Sequence, residues 1–133
     1  MRREIRALEP AARERFLAAL GAVYAVGAAD GPAGAAAARA RYGPAFRSIG
    51  ELVREHLEGA ADRSCDHWHD DAGFLTHHVA FTLELEQSLQ SVDPTVAVPY
   101  WDYTYDAFYY NFSDASGARL LGASAAQRPP RTA

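Results

Sequence analysis

Apolar residues recur at intervals of three and four along three stretches of the chain. Phe16, Leu17, Leu20, Val23 and Tyr24 share one face of a predicted helix over residues 10–26. Pro10 stands where a first helical turn tolerates the missing N–H. Phe46, Ile49, Leu52, Val53 and His56 predict a second helix over residues 45–57, ended near Gly59. Phe74, His78, Phe81, Leu85 and Leu89 predict a third, which Val92-Asp93-Pro94 breaks.

The intervening stretches lack that period. Residues 27–44 are rich in Gly, Ala and Pro, with Asp30-Gly31-Pro32 as a turn signal, and read as a loop with a short helical stretch at residues 35–41. Residues 60–72 are polar and read as an ordered loop. Residues 96–101 carry β-branched and aromatic side chains and are extended in character. After Asp102 the chain is aromatic through Phe112. It then turns small, polar and proline-bearing, so residues 113–133 are expected to be a disordered tail. The expected fold is mainly α, one incomplete domain over residues 1–112, with no internal repeat.

Composition narrows the function classes. A net charge of -4 and a pI near 5.7 argue against nucleic-acid binding through a basic surface. No run approaches eighteen uninterrupted apolar residues, so no membrane span is expected. The opening MRREIRALEP is charged and does not read as a signal peptide. The single cysteine, Cys65, rules out an intrachain disulfide framework.

Candidate chemistry is concentrated in the histidines. All five lie between positions 56 and 78. Neutral imidazole is a borderline-soft ligand suited to copper and zinc. A metal site needs ligands that converge from separate backbone elements. His56 on one helix, His69 in the loop and His78 on the next helix could converge in that way. Taken alone, a histidine such as His56 on an apolar helix face is more often packed than ligating. His77 and His78 point to different faces of one helix, so the pair does not easily serve one ion. Cys65, His67 and His69 offer an alternative zinc set, but without the paired spacing of common zinc modules. Asp70 and Asp71 read as loop and helix-start residues, not as an acid–base pair.

Beyond these residue-level readings, the stretch resembles the CuA half of the tyrosinase copper-binding domain, in the type-3 copper family that includes haemocyanin. The resemblance rests on His69 and His78 separated by eight residues, with Phe74 five places after the first. The family's motif F-L-x-W-H-R-x-Y-x-x-x-x-E-x-x-L is matched at Phe74, Leu75, His78, Phe81 (in the tyrosine place), Glu86 and Leu89. Its later P-Y-W-D-W stands here as Pro99-Tyr100-Trp101-Asp102-Tyr103. The opening RREIRALEPAARERFLAAL is similar to the first helix of many members.

The resemblance implies two helices of an antiparallel four-helix bundle. It implies His78 as third copper ligand, His69 as second and His56 as first, with His67 in reserve. It places Phe74 beside the copper and gives Asp102 and Trp101 structural roles. Two departures stand out. The family's W-H-R reads His77-His78-Val79 here, so its tryptophan and arginine are missing. Cys65-Asp66-His67 spells the C-x-H motif whose cysteine, in many members, is linked to the second ligand, yet His67 lies two places short of His69.

The implied function is oxidation of phenols or catechols by dioxygen in the intact protein. Each of the family's two coppers takes three histidines, and no histidine follows His78. The chain is therefore expected to be a fragment carrying one site. Alone it should hold at most one copper, weakly, with little or no phenol oxidase activity. Alternatives are a haemocyanin-like dioxygen-binding module and a non-catalytic helical remnant. Half a bundle leaves apolar faces uncovered, with those of Phe81, Leu85 and Leu89 expected among them, and self-association or a missing CuB half would cover them.

Overall fold

A computed structural model describes residues 2–26, 31–61 and 64–105. The chain divides into two compact units, residues 1–99 and 100–133. The first holds a 3-10 turn at Ile5–Ala7 and four α-helices: α1 (Pro10–Ala25), α2 (Gly31–Tyr42), α3 (Ile49–Gly59) and α4 (Gly73–Val92). Among the described residues there is no β-strand, and the mainly α expectation holds.

α1 packs against both α4 and α3. Its buried face is Phe16, Ala19 and Val23, spaced three and four apart. These meet Ala38 of α2, Phe46 from the α2–α3 connection, Leu89 of α4 and Val96 beyond it. Phe46, Val23 and Leu89 are wholly enclosed, and each such side chain contributes roughly 1.5–3 kcal/mol relative to its exposed state. The Tyr42 ring stacks on Phe46 at 5.0 Å, closing the core beneath α2.

Three element boundaries depart from expectation for identifiable reasons. α2 runs over twelve residues, not seven. Its alanines have the highest helix propensity but give no contrast between faces, so periodicity misses them. Gly43 ends it at a φ of 104°, with its N–H donating to the Arg39 carbonyl at 2.8 Å, a left-handed stop that favours glycine. α3 begins at Ile49, four residues later than expected, because Ser48 caps it. The Ser48 hydroxyl accepts from Glu51 N–H while the Glu51 carboxylate accepts from Ser48 N–H. That S-x-x-E signal is present in the sequence and was the better guide. Residues 96–99 form no strand. Instead the Val96 carbonyl accepts from Gln90 Nε2 at 3.1 Å and the Val98 N–H donates to Glu86 at 2.9 Å, so α4 side chains satisfy this segment.

The helices bearing His56 and His78 are tied at two further points. Ser88 of α4, fully buried, accepts from Arg47 N–H at 3.0 Å and donates to Arg47 C=O at 2.7 Å. The Arg47 guanidinium pairs with Glu55 of α3 at 2.5 Å and with Glu84 of α4.

The uncovered apolar surface is not the one expected. Leu89 is in the core, Leu85 packs against it, and Phe81 is half-buried beside His56 and Trp68. The exposed stripe is Leu75, Val79 and Leu83, at 66%, 69% and 48% exposure. In the second unit, Asp102 Oδ1 accepts from the N–H groups of Thr104 and Tyr105, a structural role for that aspartate. The expected tail, residues 113–133, and the aromatic positions 108–112 lie outside the described residues.

Candidate metal centre

The loop after α3 is shaped by Asp66. Its Oδ1 accepts from the N–H groups of Trp68 (3.0 Å) and His69 (3.1 Å), fixing a tight turn at this point. Its Oδ2 lies 2.6 Å from His69 Nδ1. Asp71 then takes a left-handed φ of 54°, which a short polar side chain tolerates, and accepts from Phe74 N–H as α4 begins. Gly73 is required there, because a Cβ would collide with the His67 carbonyl.

This path brings His69 between the two helices. One ligand nitrogen from each of His56, His69 and His78 lies within 4.8 Å of the others, the one such group of three among the described residues. His56 Nε2 and His69 Nε2 face each other at 3.3 Å. Two imidazole nitrogens on one tetrahedral metal at its usual bond length would stand about 3.3 Å apart. The His56–His78 and His69–His78 ring centroids are 5.5 and 5.3 Å apart.

Tautomers follow from the acceptors. A carboxylate can only accept, so His69 Nδ1 carries a hydrogen, and in the neutral ring Nε2 then presents the lone pair. His78 Nδ1 donates to the Phe74 carbonyl at 2.8 Å, which likewise frees its Nε2. An imidazole anchored through its other nitrogen is the usual arrangement of a metal-ligating histidine. The His69 hydrogen bond is the main reason that the Asp66 carboxyl lies below its ordinary value. Partial desolvation opposes the shift, while the Trp68 and His69 N–H groups reinforce it.

The other candidates lie elsewhere. His67 turns to Cys65, with Sγ 3.1 Å from Nε2, and both are exposed. The alternative zinc set of Cys65, His67 and His69 is therefore not assembled. His77 donates to the Gly73 carbonyl at 2.8 Å and stacks on Trp68. Phe74 packs on the ring of His78 at 4.6 Å. Cys65, His67 and His77 line an adjoining open cavity of about 840 Å³ with Glu58, Asp70 and Trp68. Sequence reasoning missed Asp66 and Trp68. The signal for the first was its place three residues before His69, the reach of a turn-forming aspartate.

No described helix is long and apolar enough to cross a membrane. No solved structure matches the chain. Curated relatives do match. A grixazone synthase of Streptomyces griseus is 53% identical over 38 residues, 29% of this chain and 12% of that protein. A tyrosinase of Streptomyces antibioticus is 53% identical over 38 residues, 29% of this chain and 14% of that protein. A tyrosinase of Streptomyces glaucescens is 50% identical over 59 residues, 42% of this chain and 22% of that protein. The chain thus spans under a quarter of the length of these relatives. The family model of the common central domain of tyrosinase matches residues 45–131, which include all three converging histidines. With the motif order, the helical frame and this match in agreement, the chain belongs to the tyrosinase family.

Proposed function

We propose that His56, His69 and His78 hold one copper ion, and that the protein serves in the oxidation of phenols or catechols with dioxygen. The observation that carries this reading is the convergence of three imidazole nitrogens within 4.8 Å, with Nδ1 of His69 and of His78 each committed to an acceptor. An all-imidazole donor set fits copper, and no carboxylate competes within the group. Bound copper would supply the redox chemistry toward dioxygen.

The chain's own residues contribute geometry. Asp66 and the Phe74 carbonyl orient two rings and select the neutral tautomer whose lone pair is on Nε2, and Phe74 shields His78 from one side. Phenolic substrate would approach across the side of the cluster where His69 is exposed. A second three-histidine half is expected to seat on the Leu75, Val79 and Leu83 stripe, through self-association or as a missing CuB half. Beyond His56, His69 and His78, these 133 residues contain only His67 and His77, too few for a second three-histidine set. On this reading the 133-residue chain alone takes up one copper per molecule and turns over little catechol.

The test is copper stoichiometry by competition titration, followed by catechol oxidation on the loaded protein. One copper per chain, lost in His78→Ala, supports the ligand set. Vigorous catechol oxidation by monomeric copper-loaded chain would overturn the single-site reading. Unchanged stoichiometry in His78→Ala would overturn the ligand assignment. Phenol turnover by a completed assembly separates an oxidase from a dioxygen carrier.

A further inference from the structure

Beside the ligand cluster stands a residue that the family motif does not place there. The Trp68 indole meets the ring of His56 edge-on at 5.4 Å and that of His78 at 6.0 Å. It stacks on His77 at 5.3 Å with planes 23° apart, and meets Phe81 edge-on at 5.6 Å. Its own backbone is joined to the third ligand, His69, and pinned by the same Asp66 oxygen. One side chain therefore touches two of the ligand rings and is covalently next to the third.

Room for the indole is built in. Gly59 closes α3 directly against it, and a Cβ at that position would overlap the pyrrole edge of the ring. The motif's tryptophan belongs immediately before the third ligand, where this chain has His77, and His77 is the residue on which Trp68 stacks. The loop thus sets an aromatic ring against the position that carries tryptophan in the motif.

We infer that Trp68 is a positioning residue for the metal centre, setting the ring planes of His56 and His78 from the loop in place of a helix-borne tryptophan at position 77. This rests on the ligand reading above. Edge-on aromatic contacts restrict ring rotation, and ligands held in advance lose less freedom when an ion binds. Among the described residues the polar partner of the His56 ring is His69, so without the indole His56 should sample several rotamers.

The experiment compares the full chain with Trp68→Phe, Trp68→Ala and the exchange variant Trp68→Gly/His77→Trp. Copper(II) affinity is read by competition titration, ligand geometry by electron paramagnetic resonance, and ring environment in the metal-free protein by histidine ring-proton shifts. Trp68→Ala is expected to lose about tenfold or more in affinity, the range for groups supporting a ligand. It should also broaden the copper spectrum. Trp68→Phe should keep most of the affinity, and the exchange variant should recover above Trp68→Ala.

Wild-type affinity and spectrum in Trp68→Ala would overturn the inference. Should that variant not fold, failure of the exchange variant to restore the wild-type spectrum overturns it. If the wild-type chain takes no copper, the ligand reading falls by itself. The metal-free ring shifts then still decide: unchanged His56 and His78 resonances in Trp68→Phe and the exchange variant overturn the positioning role.

Discussion

Replacing Asp66 with asparagine isolates the effect of one proton. The backbone bonds at Oδ1, 3.0 Å from Trp68 N and 3.1 Å from His69 N, survive the change because an amide oxygen accepts as well as a carboxylate oxygen does. Oδ2, at 2.6 Å from His69 Nδ1, becomes an NH₂ group, and two donors then face each other. The conflict resolves when His69 moves its hydrogen to Nε2 and accepts at Nδ1. Nε2 is the nitrogen facing His56, so its lone pair is lost to a metal. Removing such a supporting group costs about 10- to 100-fold in metal affinity. The His69 side chain is 39% exposed and Asp66 22%, so water can substitute in part and the low end, about tenfold, is expected. Competition against a chromophoric copper chelator at fixed pH and salt measures it, with circular dichroism to show intact helices. Affinity within twofold of wild type in a folded Asp66→Asn protein would refute the tautomer argument.

Further outcomes concern the frame. Ser88→Ala removes both partners of the Arg47 backbone and should lower unfolding free energy by about 2 kcal/mol, read as a shifted urea midpoint at constant slope. Gly59→Ala should displace Trp68 and red-shift its fluorescence in a Trp101→Phe background, with copper uptake weakened and helicity retained. Burial pushes the Glu86 carboxyl up, but Val98 N–H and Arg2 together outweigh it and hold the group below its ordinary 4.5. A depressed carboxyl stabilises the fold above pH 4.5 and loses that contribution as pH falls through its lower folded value. Glu86→Gln should therefore flatten the acid limb of a stability-against-pH curve, and an unchanged limb would count against this pairing.

Much of this was legible before any coordinates. α1 and α4 announce themselves by apolar period, and the eight-residue gap from His69 to His78 singles out His69, which the structure brings to His56 and His78, over His67. Other features leave no periodic trace. α2 is hidden because alanine on every face looks like no face at all. The α3 start was obscured because Phe46 continues the apolar spacing yet belongs to the connection before the cap. Trp68 looks like one more loop aromatic until α3 and α4 are set side by side, since what gives it work is the gap between helices, a long-range property. The uncovered stripe was misplaced by about a third of a helical turn, because which apolar residues face α1 depends on how the helices cross.

α4 is one rod with two different ends. Its wholly enclosed residues, Ser88 and Leu89, lie near the C-terminal end, whereas Phe74, Leu75 and Val79 beside His78 stand open. From Leu89 back to His78 is eleven residues, about 16 Å of helix. The histidine end is therefore a cantilever clamped at the core, steadied at its tip by the loop and by His56 of α3. Amide exchange should be fast at the tip and slow at the clamp. An ion seated among the histidines would act as a brace, and part of its binding energy would go into stiffening the beam.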